Sequence, residues 1–365
     1  MTHGKGWTWA ASRGGAGRSR RPAGRPATAS VATAIGAAAL AAVTLLSVQG
    51  CAPAPVADAD TPASHSVTFA NARTAYQTYL TVSDAAAVTG DLASALTVVT
   101  SAQWAQTRSR YAALATAGTP VPRYRYGTPT FYVPGLSGFP QWFVVRVDRT
   151  TVTGGKPGAP VSTLMLFTRA EKADDWTLGG TAVLSRPLPA IVRDADGYAV
   201  AMSTKDTSLL LRPDVVGATQ AAVVDDGPSS PAASVVAAGP LTTGLYAAQA
   251  AQAAAEQARA LDYQWLLQGA PYPQTGLRLA GGGALIMYGM YLNTSNEHPN
   301  LVTGSPIGVP AGFAPLLAAP TEVGYHEVIA NWAYQFAAID PPAAARDAKL
   351  DVIGSQSGPS FAHAY

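Results

Sequence analysis

The first 50 residues constrain the fold most, because their pattern is that of a segment removed before folding. About residues 29–48 form an uncharged run rich in Ala, Val and Leu. The segment before this run has no acid and carries six basic residues: Lys5, Arg13, Arg18, Arg20, Arg21 and Arg25. A basic segment followed by an apolar one is the layout of a secretory signal peptide. We therefore predict that residues 1–50 are a signal peptide and that the folded protein lies beyond them.

The apolar run ends in Val48-Gln49-Gly50-Cys51, and Cys51 is the sole cysteine of the chain. A hydrophobic residue three positions before a cysteine and a small residue directly before it resemble the lipobox of bacterial lipoproteins. With Val48, Gln49 and Gly50 as lipobox, the resemblance implies cleavage before Cys51 and diacylation of its thiol. It also implies a mature protein anchored to the cell membrane, on the outer, extracytoplasmic face, through its diacylglyceryl-cysteine.

Two alternatives to a lipobox stay open. One is an uncleaved transmembrane helix, since about 20 apolar residues can span a bilayer. Ala dominates the run, however, and Thr33, Thr44 and Ser47 interrupt it, so it is weakly hydrophobic for a permanent span. The other is an ordinary signal peptide in which Cys51 is incidental. We favour lipidation because the sole cysteine directly follows the apolar run.

The charge balance argues against a nucleic-acid partner. Six of the 24 Lys and Arg residues precede Cys51, so the remaining 18 stand against 22 Asp and Glu residues, a net charge of −4. A nucleic-acid site needs a basic patch on the folded part, and no run of Lys or Arg occurs there. The 315 residues beyond residue 50 exceed one ordinary core and suit two domains.

The predicted organisation beyond the signal peptide has four parts. Residues 51–65 contain three prolines without apolar periodicity, which predicts a flexible tether. Residues 66–202 are predicted to form a first α+β domain and residues 241–365 a second one. Residues 203–240 between them carry an Asp-Asp-Gly-Pro-Ser-Ser-Pro run and are predicted to be a long connection.

In the first domain, helical spacing over residues 67–117 is followed by strand patterns. Phe69, Ala72, Tyr76 and Tyr79 recur at spacings of three and four, which places them on one helix face. Gly90-Asp91 breaks the pattern; Asp91 is predicted to cap a short helix and Ser101 to cap a third one. Segments rich in aromatic and β-branched residues, separated by Pro and Gly clusters, then predict strands at 124–133, 141–151, 161–169 and 176–184 and a hairpin over 188–202.

The second domain repeats this order. Residues 241–267 are rich in Ala and Gln and are predicted to be one helix. Strands are predicted at 276–278, 284–293, 322–339 and 349–364. In the second of these strands the odd-numbered and the even-numbered residues are both apolar, so we expect both faces of the strand to be covered.

The repeated order predicts an α+β protein of two consecutive domains, each with helices packed on a curved antiparallel sheet. This arrangement resembles the cystatin-like or NTF2-like superfold, which by itself carries no function. Over its whole length the chain also resembles a family of uncharacterised lipoproteins of actinobacteria. That resemblance rests on the lipobox, the Asn71-Ala-Arg-Thr-Ala-Tyr-Gln-Thr-Tyr helix, the Gly90-Asp91 break and the Trp142-Phe-Val-Val strand. It implies no assigned activity.

Histidine motifs are incomplete. His326-Glu327 begins like a zinc-protease motif, but Ala330 stands where a second histidine is required. Glu297-His298 lies in a turn-like segment, where a solvated loop is the default interpretation and a metal or acid/base role the alternative. The Asp194-Ala-Asp-Gly segment lacks the later oxygen ligands of a calcium loop and is predicted to be a hairpin turn. We predict no metal, no cofactor and no catalytic residue.

Aromatic clusters are the remaining candidates for a ligand site. One contains Tyr124, Tyr126, Phe131 and Tyr132, and the other contains Trp332, Tyr334 and Phe336. They are candidates for lining a pocket for a glycan or a lipid, with core packing as the alternative. The ligand-binding candidates are Tyr288, Trp332 and Tyr334.

We therefore expect a non-catalytic binding or assembly module of the cell envelope. Its expected partners are the membrane and an envelope protein or polymer. A receptor for a soluble ligand, with an aromatic-lined pocket, and an NTF2-like enzyme are the alternatives. An open concave face lined by aromatics favours the receptor, and converging His, Asp and Glu residues favour the enzyme.

Overall fold

The structure is a computed structural model that describes residues 65–299, 305–317 and 324–365. The predicted signal peptide, the lipobox, Cys51 and nearly all of the tether lie outside these residues. Among the described helices, none combines the length and the apolar character needed to cross a bilayer. All the residues that the structure describes belong to one compact unit.

Three helices open the described chain, as predicted: α1 (Phe69–Thr89), α2 (Leu92–Thr97) and α3 (Ser101–Thr116). Gly90 ends α1 in the left-handed region at φ 71°, and Asp91 caps α2 by accepting from the Ser94 N–H at 3.2 Å. The predicted cap at Ser101 is wrong, because Ser101 is the first residue of α3 and Thr100 precedes it without a side-chain cap bond. Ser101 instead has a φ of 52°.

Eleven strands of the described chain form one antiparallel sheet in the order β1-β3-β4-β5-β11-β10-β9-β8-β6, with β2 paired to β3 and β7 to β9. Their bounds are β1 (Arg123–Tyr126), β2 (Thr130–Tyr132), β3 (Gln141–Thr153), β4 (Lys156–Arg169), β5 (Thr177–Leu184), β6 (Ala201–Met202), β7 (Asp262–Gly269), β8 (Thr275–Arg278), β9 (Ala284–Glu297), β10 (Glu327–Asp340) and β11 (Asp351–Ala364). Two further helices are α4 (Val216–Asp226) and α5 (Thr243–Gln257).

Helix α1 packs on the β1–β5 end of the sheet. Tyr76 of α1 is 1% exposed and meets the Phe167 ring edge-on at 6.1 Å, and Phe167 stacks on Phe143 at 4.9 Å. Aromatic pairs at these separations add about 0.5–1.5 kcal/mol each beyond the burial of their surface. The face predicted from the spacing of Ala72, Tyr76 and Tyr79 is therefore the buried one.

Strand β9 is covered on both faces, as its two apolar parities predict. Leu285 and Met287 belong to a cluster shared with strands of the first half, whereas Ile286 and Tyr288 belong to a cluster under α4. Because successive side chains point to opposite faces of a strand, one continuous apolar run serves two cores.

The fold class is confirmed as α+β, with a large open antiparallel sheet and a few helices. The two halves meet where β5 pairs with β11 through two residue pairs, Gly354 with Leu184 and Ser355 with Val183. A shared core cluster includes Leu164 of the first half and Ile353 of the second. The division into two separately folding domains stays a prediction.

Two segments differ from their predicted secondary structure. Residues 203–240, predicted to be a connection, contain α4, whose Val216, Val223 and Val224 are fully buried. The helix predicted over 241–267 ends at Gln257, and β7 follows and pairs with β9. The prediction missed the end of the helix because it relied on the helix propensity of the Ala-rich residues. The alternation of side chains typical of a strand begins at Asp262, and helix propensity does not detect it.

Candidate functional site

A cleft of about 570 Å³ opens between α1, α3 and β1. This volume is within the range of small-molecule sites. We call it the arginine–tyrosine cleft, because its lining includes Tyr79, Arg110, Tyr111, Tyr124 and Tyr126. Both tyrosines of β1 face the cleft because they are two residues apart on one strand, where alternate side chains share a face.

Two guanidinium groups flank the Tyr124 side chain. The Arg110 Nη1 donates to the Tyr124 hydroxyl at 2.8 Å, and its guanidinium carbon is 5.7 Å from the ring centroid. The guanidinium carbon of Arg149 lies 4.7 Å from the same centroid. Arg149 on β3 is the register partner of Tyr126 on β1, so strand pairing brings it beside the cleft. Cations at these distances are attracted to the ring face.

Neither guanidinium has an acid partner among the described residues. The Nε atoms of Arg110 and Arg149 are both buried and have no hydrogen-bond partner there. The carboxylate at the rim, Asp84, is engaged by Arg123 through two hydrogen bonds of 2.7 and 2.6 Å. Arg123 thus neutralises Asp84, and the cleft keeps an excess of positive charge.

The hydroxyls of Tyr79 and Tyr126 in the cleft stay protonated at neutral pH. Burial raises the pKa of Tyr79, and the positive charges of Arg110 and Arg149 oppose that rise. Burial likewise raises the pKa of Tyr126 well above its ordinary value. A protonated phenol can donate a hydrogen bond, so these groups can serve an anionic ligand as donors.

A chain of amides holds Arg149 in place. Its Nη2 donates to the Gln356 Oε1 at 2.9 Å, and the Gln356 Nε2 donates to the Gln106 Oε1 at 3.0 Å. The Gln106 Nε2 ends the chain on the Ala333 carbonyl at 3.1 Å. Side chains of β3, β11 and α3 therefore fix one edge of the cleft to the centre of the sheet.

The cleft is equipped for binding an oxyanion. A guanidinium presents up to five N–H donors in a planar fork that matches carboxylate and phosphate oxygens. Among the described residues, the lining of the cleft contains no histidine, cysteine or lysine, and its carboxylate is already paired. Arginine stays protonated and the Tyr79 and Tyr126 phenols have raised pKa values, so these groups supply no general base near neutral pH.

The three ligand-binding candidates from the sequence lie elsewhere. Tyr288 is 3% exposed, and its hydroxyl donates to the Gln220 Oε1 at 2.7 Å. Trp332 meets the Phe313 ring edge-on at 4.9 Å, and Tyr334 stacks on Phe336 at 5.1 Å. Their contacts are those of the packed core, and none of the three lines the arginine–tyrosine cleft.

The histidine segments meet at the far end of β9 and β10. The His298 N–H donates to the His326 carbonyl at 2.9 Å, and the His298 ring contacts the Ser305 carbonyl at 2.8 Å. Asp194 forms the predicted turn, accepting from the N–H groups of Asp196 and Tyr198 at 3.0 and 2.8 Å. Within the described ranges, no group of three or more His, Cys, Asp and Glu side chains is placed to hold a metal ion.

Part of the cleft was visible in the sequence. Tyr124 and Tyr126 belong to the first aromatic cluster, whose members Phe131 and Tyr132 pack in the core instead. Arg110 and Arg149 were missed, because 38 residues separate them and each sits in an ordinary amphipathic pattern. The alternation Arg123-Tyr124-Arg125-Tyr126 is the local signal that could have drawn attention to this region.

Comparison with known proteins identifies the family of the chain and assigns no activity to it. Over 190 residues the chain is 27% identical to a protein of Streptomyces avermitilis named "Uncharacterized lipoprotein", a match covering 48% of this chain and 54% of that protein. The match thus spans about half of the relative's length. No solved structure matches the chain. Residues 63–358 match the family described as "Domain of unknown function (DUF8094)". Since this region is more than half of the chain and contains the cleft, the chain belongs to the DUF8094 family.

Proposed function

We propose that this protein is a lipid-anchored, non-catalytic binding module on the outer face of the cell membrane. The basic segment, the apolar run and Cys51 support the anchor, and so does the name of the Streptomyces relative. Diacylation buries two acyl chains at about 0.8 kcal/mol per methylene, and two chains suffice for stable anchoring.

Replacing the cysteine tests the anchor. We expect Cys51→Ser to remove the thiol that receives the lipid, so the protein should leave the membrane fraction and appear in the soluble fraction. Cell fractionation followed by immunoblotting measures this shift, and Ser47→Ala in the apolar run is the control. A Cys51→Ser protein that stays in the membrane at the parent level would contradict lipidation.

The ligand that we propose for the arginine–tyrosine cleft is a phosphomonoester on a small organic group. The observation that carries this proposal is the pair of guanidiniums at Tyr124, neither of which has an acid partner in the described chain. A phosphomonoester carries a charge near −2 at pH 7.5 and three acceptor oxygens. Arg110 and the Tyr124 hydroxyl contact the phosphate, while Arg149 behind Tyr124 adds positive potential.

The cleft favours capture over catalysis. A phosphate-transfer or hydrolysis reaction needs a nucleophile, a general base or a metal ion near the phosphate. The cleft offers guanidinium and phenol donors, which bind the ground state of an oxyanion. This chemistry supports the prediction of a binding module. It also agrees with one feature of the receptor alternative, a ligand pocket lined by aromatic side chains.

Calorimetry with a matched ligand set tests the proposal. Phenyl phosphate supplies the dianion, benzoate a monoanion and phenol the neutral ring. We expect phenyl phosphate to bind most tightly, benzoate about tenfold more weakly and phenol without measurable heat. Arg110→Gln should weaken phenyl phosphate binding by about tenfold or more, because a hydrogen bond to a charged group contributes about 1.5–3 kcal/mol.

Arg108→Gln is the matched control, since Arg108 is exposed on the same helix and packs over Trp104. It should bind phenyl phosphate like the parent. Rising NaCl should weaken binding to the parent, because salt screens the two charges. Equal affinity for phenyl phosphate and phenol, or an unchanged affinity in Arg110→Gln, would overturn the proposal.

A further inference from the structure

A second cleft lies on the sheet beside the first turn of α3. It has a volume of about 650 Å³ and is lined from α3, β7, β9, β10 and β11. We call it the amide groove, after Gln268, Asn293 and Asn331 in its lining. None of the described residues in this lining carries a charge, which separates the chemistry of the groove from that of the arginine–tyrosine cleft.

Two aromatic side chains of the groove are exposed to solvent. Trp104 on α3 is 40% exposed and Phe361 on β11 is 48% exposed. The Phe361 ring is parallel to the His363 ring within 9°, with centroids 6.4 Å apart, and the Tyr365 ring follows at 4.2 Å from His363. Phe361 therefore begins a row of rings that continues along β11 beyond the groove.

The amides form a polar row between these aromatics. Asn293 and Asn331 are register partners on β9 and β10, and Asn331 is also the register partner of Phe361 on β11. The Asn331 Oδ1 is buried and has no hydrogen-bond partner among the described residues. A buried acceptor without a partner costs about 1–3 kcal/mol, which a ligand hydroxyl at this atom would offset.

The backbone of the groove shows two further adjustments. Ser101 adopts a φ of 52°, which is unfavourable for a residue with a side chain and is typical of functional sites. Gly289 leaves room for Tyr272, whose ring would lie only 2.3 Å from a Cβ added at that position. Tyr272 thereby reaches the hydroxyl of Tyr291 in the groove wall.

We propose that the amide groove binds a neutral oligosaccharide. The C–H bonds of a sugar ring pack on the negative faces of Trp104 and Phe361. Sugar hydroxyls both donate and accept hydrogen bonds, and so do the amides of Gln268, Asn293 and Asn331. The row of rings along β11 extends the contact beyond one sugar unit, so the ligand is an oligomer. An apolar ligand would leave the amides unpaired. Arg108 lies over Trp104 but outside the groove, and the described lining itself offers an anion no cation.

Titration with neutral hexaoses of glucose, mannose and galactose tests this proposal, with calorimetry and tryptophan fluorescence as readouts. We expect at least one hexaose to bind and to shield Trp104 from acrylamide quenching. Trp104→Ala should weaken that binding by about tenfold or more, because a stacking platform is lost. Phe139→Ala, which removes an exposed aromatic outside the groove, should bind like the parent.

Asn331→Leu separates a ligand contact from a structural role. Leucine has a similar volume and removes the unpaired acceptor, so the thermal midpoint should stay the same or rise while hexaose affinity falls by about tenfold. Parallel loss of affinity and stability in this variant would overturn the assignment of Asn331. Failure of the folded parent to bind any of the three hexaoses, or full affinity in Trp104→Ala, would overturn the proposal itself.

Discussion

A buried guanidinium loses its hydration, so its N–H donors have to find acceptors in the protein or in a ligand. Arg110 satisfies one donor at Tyr124 and Arg149 one at Gln356, and both lie against the same aromatic ring. Arg110 lines the cleft without an acid partner among the described residues, and this positive charge is the reason to expect an anionic ligand there. A side chain that serves only to fill the core has no need of a charge, and a buried charge without a partner destabilises the fold.

At the scale of single residues, the burial of Asp340 predicts how the stability of the fold depends on pH. Its side chain is fully buried, and burial raises the pKa of Asp340 to about 7, while the Leu211 N–H opposes the rise. The folded state therefore holds a proton that the unfolded state releases near pH 4, so stability falls as pH rises from about 4 to about 7. Asp340→Asn should remove this loss, which is on the order of 4 kcal/mol.

Urea denaturation at pH 4.5 and pH 8 measures the effect. We expect Asp340→Asn to exceed the parent in stability at pH 8 and to match it more closely at pH 4.5. Asp148→Asn, at an exposed position on β3, is the control and should show little difference at either pH. A gain from Asp340→Asn that is the same at both pH values would show that proton binding by Asp340 is not its cause.

Residue patterns predicted the helices and strands better than the site. Tyr288, Trp332 and Tyr334 were candidates because they are aromatic residues of predicted strands, and strand pairing places all three beside one core cluster. Arg110 and Arg149 come together only through the pairing of β1 with β3 and the packing of α3. Such contacts depend on tertiary structure, and local sequence carries little information about them.

At the scale of elements, turn residues misled the prediction for 203–240. Asp225, Asp226, Gly227 and Pro228 indicate a connection, yet Asp225 accepts from the Leu267 N–H of β7 at 2.8 Å. These turn residues mark only the end of α4. The buried valines of α4 form a short apolar segment, and such a segment alone does not identify a helix. Helix and strand patterns were reliable where a long period could develop, as in α1 and β9.

The pairing of β5 with β11 gives a prediction at the element scale. A Cβ at Gly354 would lie 2.7 Å from the Val183 carbonyl oxygen, so Gly354→Ala should force the two strands apart. We expect a loss of about 1–3 kcal/mol in the free energy of unfolding, measured in urea. Gly269→Ala is the matched strand control, since a Cβ there meets nothing within 4 Å. Equal stability of the two variants would contradict close packing at this pairing.

At the scale of the whole molecule, one sheet and one shared core cluster connect the two halves that the sequence divides. The family match from residue 63 to residue 358 also runs across both. We therefore expect a single cooperative transition in scanning calorimetry, because separating the halves would expose that cluster. Two resolved transitions would instead support the predicted separate domains.

The central claim is that the arginine–tyrosine cleft holds a phosphate, and a crystal structure of the protein with phenyl phosphate tests it most directly. We predict phosphate density within about 4 Å of the Arg110 guanidinium carbon, with an oxygen at hydrogen-bond distance from the Tyr124 hydroxyl. The same crystals of Arg110→Gln should lack that density. Phosphate bound at another surface, or an empty cleft at a ligand concentration that saturates binding in solution, would contradict the account.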